Sequence, residues 1–240
     1  MKRLPHAVSD LSSRYLKAQK IERLLNLSNY PKPIRLLEVG TDSGGIAHYF
    51  AAQGNDQYEV MALDVVDVRY IRTGYAFHLV SDTTLPFSKN SFDVVLSNHV
   101  IEHVGERPKQ LAHLREIHRV LAPCGVGYLA VPNRWMLIEP HYRLPFLSWF
   151  PQPMRTLYLQ LMRKSQPYDC EPLTLRSLNR LLTEAGFSCE HLELEALQTL
   201  VEFEGNRGFH RILAKRAPAS LMKILRPFIP TFICRLDPQK

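Results

Sequence analysis

Little in this chain settles its class at once, and what it lacks is the first guide. The four cysteines, Cys124, Cys170, Cys189 and Cys234, are widely spaced and form no CxxC pair. Neither a disulfide framework nor a zinc motif is therefore indicated, no metal is expected, and a reducing cytoplasm suits the chain. No stretch approaches the roughly 18 to 20 uninterrupted apolar residues of a membrane-spanning helix, which argues against an integral membrane protein. The basic start Met1-Lys2-Arg3 is not followed by an apolar run, so no secretory leader is expected and the protein is placed in the cytoplasm. Acidic residues are missing in one region only. Between Gly205 and Leu236 there are seven Lys and Arg and no acid, which accounts for the whole net charge of +7. Leu221, Met222, Leu225 and Phe228 interleave there with Lys223 and Arg226, a pattern that suits an anionic membrane surface better than a nucleic acid. A segment that covers the sheet or contacts a second copy is the alternative.

What is present reads as a soluble domain: 45% apolar, 22% charged, across 240 residues. Residues 11 to 27 carry Leu and Ile at helical spacing until Pro31-Lys32-Pro33 stops them. Short apolar runs then recur at Ile34 to Val39, Tyr58 to Leu63, Phe77 to Val80, Phe92 to Ser97 and Val126 to Val131, with helical patterns between several of them. Such alternation predicts a parallel sheet with helices on its faces. About forty residues rich in proline and aromatics follow, reading as an insertion. A helix at Leu173 to Ala185 capped by Gly186, and strands at Cys189 to Leu194 and Phe209 to Lys215, are expected to close the domain. The expected organisation is an N-terminal amphipathic helix over 1–33, a main domain over 34–217 with an inserted lid at about 134–172, and a basic, apolar tail over 218–240.

The first run ends in Glu38-Val39-Gly40-Thr41-Asp42-Ser43-Gly44-Gly45, where glycine lets backbone approach a ligand. Asp64, ending the second run twenty positions beyond Gly44, stands where a carboxylate accepts hydrogen bonds from ribose hydroxyls. A tight turn with a capping acid explains the pair equally well until other segments are considered.

Those segments resemble class I S-adenosylmethionine-dependent methyltransferases, in particular their small-molecule branch. The resemblance rests on Glu38-Val39-Gly40 with Gly44, Leu63-Asp64, Ser81-Asp82 before Leu85-Pro86-Phe87, Phe92-Asp93-Val94-Val95 leading to Ile101-Glu102-His103-Val104, and Arg115 to Gly125, all in family order. It covers roughly residues 34 to 133, with weaker agreement over Leu173 to Phe187. It implies a Rossmann-like α/β fold with a seven-stranded, mostly parallel sheet whose last strand is antiparallel, and S-adenosylmethionine as cofactor. Residue by residue it implies that Glu38 orders the turn, Gly40, Asp42 and Gly44 line the methionine half, Asp64 with Val65 holds the ribose, Asp82 with Thr83 meets the adenine, and Asn98 lies near the amino-acid moiety. For Asp82 a plain turn is the competing reading.

The family usually has glycine where Asp42 stands. A carboxylate there would repel a pyrophosphate at the helix N-terminus, whereas a sulfonium and an ammonium tolerate it; this ranks a nicotinamide cofactor second. The same departure motivates the rival reading, a non-catalytic, methyltransferase-like binding or assembly module. If the acceptor is a hydroxyl, a histidine is suited to take its proton. His99 and His103 follow the fourth strand and His141 lies in the insertion; His103 and His141 are the candidates carried forward. Within the insertion, Trp135, Tyr142, Phe146, Trp149 and Phe150 with Arg134, Arg143 and Arg155 suit an apolar or sugar-like acceptor with an anionic group, or else form an ordinary packed subdomain. The expected partner is a small-molecule acceptor, with a lipid- or glycan-linked one among the candidates, methylated on oxygen rather than nitrogen or carbon. No nucleic acid is expected, since Ser97-Asn98-His99-Val100 replaces the tetrapeptide of amino-directed DNA enzymes.

Overall fold

The computed structural model describes residues 11–139, 142–164, 168, 170–203 and 226–239. Helix α1 (Leu11–Leu24) leads into strand β1 (Ile34–Val39), helix α2 (Gly45–Ala51), strand β2 (Tyr58–Asp64), strand β3 (Ala76–Leu79) and strand β4 (Phe92–Asn98). Helix α3 (Arg107–Val120) and strand β5 (Leu121–Pro132) precede a small hairpin of β6 (Ile138–Glu139) and β7 (Leu144–Pro145) and helix α4 (Gln152–Leu161). Helix α5 (Leu175–Glu184), strand β8 (Phe187–His191), helix α6 (Glu193–Phe203) and strand β9 (Thr231–Pro238) complete it.

The main sheet has the order β3-β2-β1-β4-β5-β9-β8. β1 pairs in parallel with β2 and β4, β2 with β3, and β4 with β5, while β9 runs antiparallel to both β5 and β8. The expected seven-stranded, mostly parallel sheet is therefore present. Its central strands read as apolar runs because both faces are covered. Along β1, Leu37 and Val39 point to the face packed by α3 and α5, and Leu36 to the face packed by α1, α2 and α6. Helix α1 is part of this second layer, with Ala18 and Ile21 fully buried.

The antiparallel strand is Thr231–Pro238, inside the stretch set apart from sequence as a tail. It is the antiparallel neighbour of the two strands beside it, so Phe232, Cys234 and Leu236 are buried between layers. The expected strand at Phe209 to Lys215 lies outside the described residues, as does most of the basic segment. In sequence this strand is hard to see, because its pattern is interrupted by Arg235 and follows two prolines, which read as a loop.

After β5 the chain leaves the sheet at Asn133 and returns at Leu173, and these two residues form a bridge. The Asn133 amide donates to the carbonyls of Pro227 and Ile229, at 2.7 Å each, and its backbone N–H donates to Pro230. The described residues of the 134–172 insertion thus grow from a fixed neck. They hold a core of their own, including Tyr142, Leu144, Leu147, Leu159 and Cys170.

Candidate active site

The carboxyl ends of β3, β2, β1 and β4 are neighbours along one edge of the sheet, where open α/β folds take ligands. Glu38, Gly40, Asp42, Gly44, Asp64, Val65, Asp82, Thr83 and Asn98 all fall on that edge or on the turns leaving it.

Glu38 lies beneath the first turn. Its Oε2 accepts the Thr41 hydroxyl at 2.7 Å and the Ala47 backbone N–H at 3.0 Å, which ties β1 to the first turn of α2. Burial pushes its carboxyl up from the usual 4.5 to about 8, only partly opposed by those two bonds. The folded protein therefore keeps a proton on Glu38 between those pH values that the unfolded chain gives up, and stability falls with rising pH across that window by about 1.4 kcal/mol per pH unit. We expect Glu38→Gln, which preserves an acceptor for Thr41 and Ala47, to remove this slope: its melting temperature gains on the wild type from pH 5 to pH 8, and parallel curves would contradict the assignment.

Gly40 has φ +74°, and a Cβ there would collide with Val100 Cγ2. Gly44 has φ +82° and its missing Cβ leaves space for the Tyr75 hydroxyl and the Ile71 carbonyl. The glycines thus serve the packing of the protein on itself. The segment after β2 folds back over the turn, with the backbone N–H groups of Tyr70 and Ile71 donating to the Ser43 carbonyl at 3.0 and 3.2 Å.

Asp42 occupies the left-handed region at φ +47°, a conformation that aspartate tolerates better than most side chains. Its carboxylate pairs with Arg14 of α1 at 3.1 Å. This corrects the electrostatic argument from sequence, because Asp42 is charge-compensated and does not face a ligand as a lone anion. It also gives the glycine replacement a role, anchoring α1 across the turn. Neither Arg14 nor the 66–75 segment is legible in sequence as part of the site, since nothing there links positions 28 apart.

Asp64 is shared between two loops. Oδ2 accepts the Asp42 N–H at 2.9 Å, and Oδ1 accepts the Val65 N–H at 2.7 Å. Asp82 accepts the Thr84 N–H at 2.7 Å in a short Asx turn and is exposed. Both readings of Asp82 are compatible with this, as the turn holds its carboxyl at the sheet edge. Thr83 and Asn98 are partly buried, and Val65 is exposed.

Beyond β4, His99 adopts φ +58° and its backbone N–H donates to the Ala130 carbonyl at 2.9 Å. Its Nδ1 lies 3.2 Å from Oε1 of Glu102, a fully buried acid. Behind them His113 is buried against the Ser97 hydroxyl at 3.0 Å, and burial drives it down to about 4, so it is neutral at physiological pH. His103 turns the other way, its Nδ1 3.7 Å from Cys170 Sγ of the insertion. His141 lies outside the described residues.

Within the insertion, Arg155 is not available to an anion. It is buried, donates to the carbonyls of Phe150, Ser148 and Cys170, and stacks on Tyr168. Trp149 packs edge-on against both Trp135 and Phe146 and donates its indole N–H to the Met136 carbonyl.

A family model described as a methyltransferase domain matches residues 11–192. The chain belongs to the class I S-adenosylmethionine-dependent methyltransferases. Among solved structures, the methyltransferase is similar to a SAM-dependent methyltransferase from Methanosarcina mazei at 16% identity and TM-score 0.54, covering 90% of this chain and 97% of that one. A sarcosine dimethylglycine methyltransferase from Galdieria sulphuraria, itself so described only provisionally, aligns at 14% identity and TM-score 0.56, over 95% and 86% of the two chains. A plantazolicin methyltransferase solved with a monoazolic desmethylPZN analog and SAH aligns at 15% identity and TM-score 0.57, over 96% and 85%. Likeness at these identities is likeness of fold. Among curated proteins nothing matches. The chemistry of the edge fits the family's cofactor: Asp64 and Asp82 offer carboxylate oxygens to hydroxyl and amino donors, and the Arg14 cation at the turn is paired with Asp42.

Proposed function

We propose that this methyltransferase methylates a hydroxyl oxygen of an amphiphilic, lipid-linked small molecule taken from the surface of an anionic membrane. The observation that carries this reading is the surface of the insertion. Of the eighteen large apolar side chains exposed among the described residues, nine lie between Trp135 and Met162. Met154, Leu157 and Leu161 recur at helical spacing on α4 and are 50%, 56% and 72% exposed. Soluble surfaces seldom concentrate apolar area in this way without a partner. The accompanying charge has one sign: Arg143, Arg163 and Lys164 are exposed, whereas Glu139, the sole acid between Arg134 and Lys164, is buried. Apolar residues with basic neighbours suit the interface of an anionic bilayer.

When bound, S-adenosylmethionine supplies a methyl carbon made electrophilic by its sulfonium. The chain's part is to place and desolvate the acceptor. Asp64 and Val65 hold the ribose, Asp82 and Thr83 meet the adenine, and the Gly40 turn with Asn98 flanks the amino-acid half. His99 takes the acceptor's proton on Nε2, its Nδ1 being committed to Glu102; His103 contacts the insertion and keeps it seated over the edge.

We expect the protein to sediment with vesicles of phosphatidylglycerol and phosphatidylcholine at low salt and to be released as salt rises. Replacing Leu157 and Leu161 together by Glu should reduce bound protein at least tenfold while S-adenosylhomocysteine binding stays unchanged. Equal vesicle binding by wild type and variant would defeat the membrane reading, and labelled methyl appearing only in water-soluble products of a mixed extract would defeat the lipid-linked acceptor.

A further inference from the structure

At the β8 side of the sheet, Cys189 and His191 of β8 and Cys234 of the adjoining β9 bring their side chains together. The register pairs His191 with Cys234, and Cys189 stands two residues before His191 on the same face. One ligand atom from each lies within 4.8 Å of those from the other two. Cys234 is fully buried and the other two are partly buried, so water does not solvate this group freely.

The neighbours of the cluster are arranged as the outer partners of a metal site are. His191 Nε2 is 3.2 Å from Asn179 Oδ1 of α5, an acceptor that holds a proton on Nε2 and leaves Nδ1 as the metal-facing nitrogen once its own proton is displaced. Nδ1 stands 3.8 Å from Cys234 Sγ. With metal–sulfur and metal–nitrogen bonds of about 2.3 and 2.0–2.1 Å, a tetrahedral zinc needs its sulfur and nitrogen ligands about 3.6 Å apart. Glu193, at the start of α6, is buried, has Oε1 2.9 Å from Nδ1 and receives Arg226 Nε on Oε2 at 3.2 Å, so it braces the imidazole from outside the three-atom cluster. Two thiols and an imidazole are thus gathered in one place.

We propose that Cys189, His191 and Cys234 bind one zinc ion that ties β8 to β9. Two thiolates and a borderline imidazole select zinc over magnesium or calcium, which prefer oxygen. Binding displaces the thiol protons and the proton between Nδ1 and Glu193. The sequence conceals it because the ligands are split between Cys-x-His at 189–191 and a lone Cys234, with no CxxC pair to announce them.

The test uses the full chain purified under reducing conditions from zinc-supplemented cells. We expect one equivalent of zinc by elemental analysis, its loss in Cys189→Ser and Cys234→Ser, and its retention in Cys124→Ser, an exposed cysteine away from the cluster. Should Cys234→Ser fail to fold, the wild type decides alone: cobalt(II) added to the metal-free protein should give a thiolate-to-cobalt charge-transfer band and tetrahedral ligand-field bands. A chelator should lower the melting temperature of the wild type and leave that of Cys189→Ser unmoved. Reduced wild type that takes up neither zinc nor cobalt in stoichiometric amount would overturn the proposal, as would a Cys189–Cys234 disulfide in the isolated protein.

Discussion

Asp64→Ala is expected to reduce affinity for S-adenosylmethionine and S-adenosylhomocysteine by at least about 100-fold, read by calorimetry. Hydrogen bonds to a charged acceptor contribute about 1.5–3 kcal/mol each, and a carboxylate on the ribose diol accepts two, so the loss reaches two decades or more. Asp64 has a second duty that shapes the result. Its two oxygens brace opposite loops, Oδ2 through the Asp42 N–H and Oδ1 through the Val65 N–H. Removing the carboxylate leaves both donors without their acceptor and should also lower the melting temperature of the cofactor-free protein. Asp64→Asn separates the two duties, because an amide presents one oxygen and can satisfy only one loop. We expect it to fall between wild type and Asp64→Ala in both readouts. Unchanged cofactor affinity in Asp64→Ala would remove Asp64 from the site and with it the assignment of this edge.

Much of this arrangement is legible in sequence because it is local. The apolar runs from Ile34 to Val131 mark strands buried on both faces, and the order of Glu38, Asp64, Asp82 and Asn98 follows the order of strand ends. What is not legible is set by contacts distant in sequence. Arg14 meets Asp42 only because α1 packs on α2, and Tyr75 reaches Gly44 only because the segment after β2 folds back rather than forming a helix. Gly44 shows how the same residue is explained differently at the two levels: a glycine read from sequence as room for a ligand is filled here by Tyr75 and Ile71. The last strand is hidden for a related reason. Thr231–Pro238 is stabilised by pairing with β5 and β8, so its apolar residues resemble a greasy tail until the neighbours are known. Arg155 misleads in the opposite direction, since a basic residue among aromatics suggests an anion site but is fully used in holding the insertion's own carbonyls.

His99→Ala is expected to slow methyl transfer by about 100- to 10,000-fold with little change in S-adenosylhomocysteine binding. The argument is geometric. The left-handed backbone at His99 is locked by the bond from its N–H to the Ala130 carbonyl, which fixes the ring at the end of β4. Its side chain is 31% exposed while its partner Glu102 is fully buried, so one nitrogen is anchored in the protein and the other is left for the acceptor. A buried carboxylate behind the ring favours the tautomer with the proton on Nδ1 and stabilises the imidazolium formed when Nε2 takes the acceptor's proton. Glu102→Gln should retain the shape of the site and lose part of that stabilisation, giving a smaller decrease in turnover than His99→Ala. Added imidazole should restore part of the rate to His99→Ala and none to Glu102→Gln, a difference that a merely structural role would not produce. His103→Ala provides the contrast: its ring lies against Cys170, so it should alter the acceptor KM more than the turnover. If His103→Ala abolishes turnover and His99→Ala does not, the proton passes to His103, and the dyad of His99 and Glu102 serves the fold of the β4 end instead.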